Sequence, residues 1–228
     1  MNTFEIQKVK QLQEKARTFL KENYLEVNGI AIHPKEIEVY YFKKNEFEDP
    51  SVHQNELQRN MSKKYHLYVH RKGKSINDTY IGGIRDGVDL CIPITDDSFF
   101  TFLIRGAAIK DKNEMVQGPN KVLKSILTAT NMTKEELETS DVIIKSESSE
   151  SDIYFSERIG LGKVPEEYKT LKLRAVLSDE YFKTVKGKES MIVSFIKENL
   201  HEKDKAIDYT LSHLGYIPKK IKDLFPQE

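Results

Sequence analysis

Phe102-Leu103-Ile104-Arg105-Gly106, followed by Gln117-Gly118-Pro119-Asn120-Lys121-Val122-Leu123, is the stretch on which the reading of this chain turns. The first piece reads as a buried strand that ends in an arginine. The second reads as a loop leading into a helix, with proline at the first turn, where its missing N–H costs nothing. An unpaired charge in apolar surroundings is costly, so an arginine at the end of an apolar strand implies an anionic partner. A helix N-terminus offers free N–H groups and the positive end of a dipole, which suits a phosphate. Lys121, near that helix start, is electrostatically awkward unless an anion lies close.

Working outward, Val9, Leu12, Ala16, Phe19 and Leu20 recur at helical spacing and predict an amphipathic helix running to Asn28-Gly29. Ile37, Val39 and Tyr41 alternate with Glu38, Tyr40 and Phe42, which predicts a strand. Residues 45–64 are polar and irregular and read as a surface loop. Leu67 and Val69 then alternate with His66, Tyr68 and His70, which puts two histidines and a tyrosine on one strand face. Residues 72–77 read as a hairpin tip, and 88–94 and 99–105 as further strands. Thr133 with Glu136 forms a capping-box pattern. Residues 141–144 read as a strand, 146–152 as an acidic, serine-rich loop, and 171–177 as a one-sided strand with Lys172 and Arg174 on its polar side. After Gly187 three short helical patterns follow, built on Met191 to Ile196, Ile207 to Leu214 and Ile217 to Leu224. This order predicts an α+β fold. Residues 1–187 form one domain with its N-terminal helix, and 188–228 form a helical extension packed on it, which completes the core or makes a dimer contact.

The 228 residues are 38% hydrophobic and 32% charged, with 36 basic against 36 acidic side chains, so the net charge is zero. That balance fits a globular protein and counts against a non-specific nucleic-acid coat. The charges are unevenly spread. From His53 to Lys74 six bases face only Glu56, whereas from Glu135 to Glu157 the balance reverses, with many acids beside Lys145. Either one face is basic, or both stretches are simply solvated surface. No apolar run approaches the ~20 residues that span a bilayer, so no membrane association is expected. The start Met1-Asn-Thr-Phe-Glu-Ile lacks a signal-peptide pattern. Cys91 is the one cysteine. It leaves no internal disulfide, points to a reducing cytoplasm, and with Leu90 and Ile92 beside it reads as a core thiol.

Taken in order, these elements resemble the methylpurine (3-methyladenine) DNA glycosylase family over roughly residues 30 to 185. Phe102-Leu-Ile-Arg105 is similar to that family's strand ending in an active-site arginine, and Gly118-Pro-Asn-Lys121-Val-Leu to its Gly-Pro-x-Lys-Leu helix start. Arg158-Ile-Gly-Leu-Gly162 and Leu171-Lys-Leu-Arg-Ala-Val176 resemble its Arg-Ile-Gly-Ile segment and closing strand. Upstream, Ile37-Glu-Val-Tyr-Tyr-Phe42, His53, Arg59-Asn60 and Leu67-Tyr-Val-His70 match in sequence order. The resemblance implies a single curved, mostly antiparallel sheet with surrounding helices. It also implies hydrolysis of the N-glycosidic bond of an alkylated or deaminated purine flipped out of duplex DNA, with no cofactor and no metal. On that basis Glu38 activates water and Arg105 places it, while Tyr40, Phe42, His53, Tyr68, His70 and Lys121 contact the base or nucleic acid.

Three departures accompany the resemblance. The family's catalytic glutamate falls on Tyr40, a poor general base because a tyrosine titrates near 10, and its non-catalytic glutamate falls on Glu38. The hairpin that carries the family's wedge tyrosine is rewritten as Asp78 to Gly87, with Tyr80 or Ile84 as the wedge. The family's asparagine near the following strand end falls at about Pro93. Other readings stand beside this one. His66, Tyr68 and His70 form a candidate metal face lacking a third ligand of suitable spacing. Arg105 and Glu38 form a purely structural salt bridge. The whole chain is a catalytically inactive scaffold used as an interaction module, or a different hydrolase using Arg105 with Glu38.

Overall fold

The computed structural model describes residues 3–54, 58, 64–70, 86–94, 98–109 and 114–225. Helix α1 (Thr3–Glu22) leads into strands β1 (Asn23–Val27), β2 (Ile30–Lys43), β3 (Phe47–Glu48), β4 (His66–Val69), β5 (Val88–Cys91), β6 (Ser98–Ile109) and β7 (Glu114–Gln117). Then come α2 (Pro119–Thr130), α3 (Lys134–Thr139), β8 (Val142–Ser146), β9 (Ile153–Ser156), α4 (Glu166–Lys169) and β10 (Arg174–Leu177). A 3-10 turn (Glu180–Thr184) precedes α5 (Lys188–Asn199), α6 (Lys203–Leu214) and α7 (Lys219–Lys222). The strands make one curled antiparallel sheet in the order β4-β5-β6-β2-β1-β8, with β3 and β10 also on β2, β9 on β10 and β7 on β6. The fold is α+β.

The long β2–β6 pair is the spine, and strand alternation sorts its side chains between two faces. Ile37 and Val39 of β2, Phe100, Phe102 and Ile104 of β6, Val88 and Leu90 of β5 and Leu67 and Val69 of β4 all join the main apolar core. Helices α1 and α2 close over that face with Leu12, Ala16, Phe19, Val122, Leu123 and Ile126, and the Phe19 and Phe102 rings meet at 5.0 Å. Positions one residue out of phase turn to the opposite face. They include Glu36, Glu38, Tyr40, Asp89, Thr101, Leu103 and Arg105, and register sets Asp89 opposite Leu103 and Glu38 opposite both Leu103 and Arg174.

Several sequence expectations change. Helix α1 stops at Glu22, and Asn28-Gly29 instead turns the β1–β2 hairpin with φ of 48° and 73°. Asn-Gly supplies the positive φ that a two-residue hairpin turn requires, while Leu25 and Val27 alternate into the core. Arg105 lies inside β6, which continues to Ile109, rather than at a strand end. The described part of 45–64 is no surface loop, since Asp49, Ser51, Val52 and His53 are buried. Strand β10 is buried on both faces, Arg174 included, because its polar side meets Glu36 rather than water. The hairpin tip and the candidate wedges Tyr80 and Ile84 lie outside the described residues.

The C-terminal helices surround a second apolar cluster. Met191, Ile192 and Ile196 of α5, Ala206 of α6 and Ile221 of α7 gather on Tyr154 of β9, Val176 of β10, and Tyr181 and Phe182 of the 3-10 turn. This brings the Tyr181 ring across Gly106, where a Cβ would collide with it. Gly106→Ala should therefore destabilise the protein by about 1–3 kcal/mol through overpacking. Urea unfolding monitored by circular dichroism checks this, and an unchanged midpoint would contradict the packing.

Candidate functional site

The site is built on a β-bulge. Glu36 lies opposite Gly106 but Ile37 opposite Ile104, so Arg105 is an extra residue in β6; Lys35 is the matching extra residue in β2. A bulge interrupts the ladder and re-aims the side chain it carries. Arg105 Nε donates to Glu36 Oε1 at 3.0 Å, and its Nη1 lies 3.3 Å from Glu38 Oε1. Arg174 Nε donates to the same Glu36 oxygen at 2.8 Å, and the Tyr181 hydroxyl donates to Glu36 Oε2 at 2.6 Å. Two guanidinium groups thus meet two carboxylates, and the formal charge of the group cancels. Burial pushes the Glu36 carboxyl up, but the Arg174 charge, the bonds from Tyr181 and Arg174, and the Arg105 charge outweigh it and hold Glu36 below its usual range.

Above this cluster a cleft of ≈190 Å3 opens along the polar sheet face. Tyr40, His53, His70, Asp89, Leu103 and Arg105 contribute to its walls, Pro119 comes from the start of α2, and Ile159 to Gly162 form a lip. Arg105 reaches it with 14% of its side chain exposed. The His53 and His70 rings lie 4.6 Å apart between centroids. His70 Nε2 bonds Asp89 Oδ1 at 2.9 Å, while Gln58 and Thr101 donate to Asp89 Oδ2 at 2.7 and 3.2 Å. Burial pushes the Asp89 carboxyl up; the His70 charge and hydrogen bond, with His53 and Gln58, overcome this and lower it. Asp89 is therefore an ionised group below the cleft surface, held by donors.

Glu38 behaves differently. It is fully buried and absent from the cleft wall. Its Oε1 accepts from the Ile159 backbone N–H at 2.7 Å besides facing Arg105, and its Oε2 accepts from the Tyr40 hydroxyl at 2.8 Å. The sequence-derived set thus divides. Arg105, Tyr40, His53 and His70 converge on the cleft, whereas Glu38 lies sealed beneath it. Phe42 packs edge-on against Phe99 at 6.3 Å, Tyr68 is buried behind His53 at 5.9 Å, and Lys121 is exposed to solvent; none of these three lines the cleft.

The phosphate expected at the start of α2 meets competition there. Asp86 already occupies that end, accepting from Asn120 Nδ2 at 3.1 Å and standing 3.5 Å from Lys134 Nζ. A carboxylate at a helix N-terminus satisfies the dipole that would otherwise favour an anionic ligand. Arg105, fully countered by Glu36 and Glu38, adds no net charge.

Four groups that shape the site were not singled out from sequence. Asp89 interrupts the apolar run Val88-Asp89-Leu90-Cys91, and an acid in a buried strand was the available signal. Glu36 sits two residues before Glu38 on the same strand face. Asp49 and Gln58 carried no local signal. Asp49 holds the fully buried Arg158, whose Nη1 donates to Asp49 Oδ2 at 2.6 Å and to Ser51 Oγ at 3.0 Å, with its guanidinium 4.8 Å from the Tyr40 ring. Arg158 so ties the 49–53 segment and the 159–162 lip to the sheet. Among the described residues no group of three His, Cys, Asp or Glu side chains is placed to hold a metal, and no helix is long and apolar enough to cross a membrane. No protein-family model matches the chain, and no curated protein matches it in sequence.

Glu36 carries an acid-stability signature. Because its folded-state value lies below its ordinary 4.5, its contribution is full above pH 4.5 and is lost as the pH falls from there through the lower folded value. Glu36→Gln should cost about 3–5 kcal/mol at neutral pH, since it leaves two buried guanidinium groups undercompensated, and should flatten the acid limb of the stability curve. Chemical unfolding across pH 3 to 7 on both proteins measures this.

Proposed function

We propose that the cleft receives one purine base turned out of duplex DNA, and that the protein is a divergent DNA glycosylase-like protein of the methylpurine kind. The observation that carries this reading is the convergence of Tyr40, His53, His70 and Arg105 on one polar cleft, with Arg105 countered by Glu36 and Glu38. Aromatic and imidazole rings suit a planar heterocycle, and a base out of the stack needs such a pocket. A balanced cluster favours an uncharged polar ligand over a phosphate. The cleft volume of ≈190 Å3 falls below the ~300 Å3 at which drug-sized pockets begin, which fits a single base better than a whole nucleotide. Ile159, 41% exposed at the lip, is an apolar side chain suited to the gap that a turned-out base leaves.

The proposed chemistry is hydrolysis at C1′. Water adds to C1′, the C1′–N bond breaks with its electron pair going to the base, one proton passes from water to the protein, and the protein returns one proton to a departing base that leaves as an anion. A proton acceptor for this step has to face the cleft. Asp89 with His70 meets that condition and Glu38 does not, so we assign acid–base work to the Asp89–His70 pair. Glu38 becomes a positioning residue that orients Tyr40, Arg105 and the lip.

A second reading, a binding module without hydrolysis, is favoured by two observations. Three donors already occupy the Glu38 carboxylate, and Tyr40 stands where the resemblance puts the catalytic acid.

Two measurements on duplexes carrying a single hypoxanthine or alkylated purine separate these. Binding followed by fluorescence anisotropy should fall steeply with salt, as counterion release requires. Release of free base should drop by about 10²-fold or more in Asp89→Asn, with duplex binding retained. Duplex binding without release by the wild-type protein contradicts hydrolysis and leaves a binding module. Absence of duplex binding at low salt contradicts the glycosylase reading and favours a scaffold that serves another partner.

A further inference from the structure

Strand β8 ends the main path of the sheet, with β1 as its strand partner. The opposite end is covered, since the Val69 N–H of β4 donates to Glu138 Oε1 of α3 at 2.9 Å. The phase of the β1–β8 ladder shows which backbone groups of β8 lie outside. Asn23 stands opposite Ser146, and one step further the Glu147 N–H donates to Glu22 O at 2.8 Å. Hydrogen-bonded and non-hydrogen-bonded pairs alternate along an antiparallel ladder. Lys145 and Ile143 therefore spend their N–H and C=O groups on β1, while Val142, Ile144 and Ser146 turn theirs away from it. Among the described residues no backbone group bonds the outward side of Val142 or Ile144. Such a row is a template for another strand, and folded proteins guard it with charge, proline or a bulge. Val142-Ile143-Ile144 has none of these, and its register with β1 is unbroken. The side chains of Val142 and Ile144 pack on the main core, which leaves Ile143 on the other face, 47% exposed. Asp141 and Lys145 stand two residues to either side of Ile143, on its face. Asp141 is exposed, and Lys145 Nζ makes only a long contact, 3.9 Å, with Glu26 Oε1.

We propose that β8 pairs antiparallel with β8 of a second copy of this chain, about a two-fold axis at Ile143. Val142 of each copy then lies opposite Ile144 of the other, so the outward groups meet and each such pair exchanges both of its hydrogen bonds. Ile143 meets Ile143 in the intervening pair, where side chains approach most closely. Asp141 meets Lys145 of the second copy, and symmetry supplies that ion pair twice. The register centred on Ile144 would satisfy the backbone equally, but it sets Asp141 against Glu147 and Ile143 against Lys145. Charge therefore selects the axis at Ile143. Lys145, which alone would guard the edge, becomes part of the contact. An isologous pairing closes on itself, so the product is a dimer rather than a fibre. The cleft takes no part in it, and the inference is independent of what the cleft binds.

Sedimentation velocity of the full chain over a concentration series tests this. The wild-type protein should sediment as a dimer. Asp141→Lys sets lysine against lysine in both ion pairs and should weaken the dimer on the order of 10- to 100-fold. Lys145→Asp sets acid against acid and should weaken it similarly. An equimolar mixture of these two variants should recover dimers, because every opposed pair is then of unlike charge. Val142→Pro removes an outward N–H at the first residue of an edge strand, where proline is tolerated, and should give a monomer with the wild-type circular dichroism. A wild-type monomer at high protein concentration overturns the proposal whatever any variant does to folding. A dimer left intact by Asp141→Lys, or two charge variants that stay monomeric when mixed, overturns it as well.

Discussion

The carboxylate of Glu36, gripped by Arg105, Arg174 and Tyr181 at the bulge between the two long strands, is the contact on which the rest of the molecule depends. It draws together three elements distant in sequence: β2, β6 and the β10 segment with its following 3-10 turn. A buried ion pair seldom adds much net stability, because removing each charge from water costs several kcal/mol. What such a pair does well is reject alternatives. A one-residue slip of β6 against β2 would carry Arg105 to the apolar face, strip Glu38 of its counter-charge and leave Glu36 with Arg174 alone. The cluster therefore sets register, and register decides which side chains line the cleft.

The same cluster shapes the chemistry above it. With two cations and two anions the group is neutral as a whole, so Arg105 reaches the cleft as a directional donor rather than as a free positive charge. Asp86 similarly occupies the start of α2. Asp89 is held ionised below the surface by His70 and its neighbours. Glu38 couples these parts, since one carboxylate touches Arg105, Tyr40 and the backbone of the lip at Ile159. A change in any one of them is felt by the others.

Much of the fold was legible where local chemistry is decisive. The capping box at Thr133 and Glu136, the proline opening α2 and the alternation in β2 and β6 all depend on nearest neighbours. The helix that should have reached Asn28-Gly29 shows the opposite case: its apolar residues at helical spacing do form α1, but residues after Glu22 pair as a strand and Asn28-Gly29 turns a hairpin. Arg105, Tyr40, His53 and His70 were found because unusual side chains stood on or beside strand faces. What stayed hidden arises from pairing across the chain. A bulge exists only relative to a partner strand, so nothing in Phe102-Leu-Ile-Arg105 announces that Arg105 is the extra residue. The burial of Asp49 follows from Arg158, more than a hundred positions away. Gln58 acquires its orientation only from Asp89.

The most direct test is the coupling energy between Glu36 and Arg105, from a double-mutant cycle with Glu36→Gln, Arg105→Met and the double variant in equilibrium unfolding. If the pair acts as one register-setting unit, the double variant should be less destabilised than the sum of the single variants by about 1–3 kcal/mol. Additivity within about 0.5 kcal/mol would mean that the two side chains act independently, and would contradict the account.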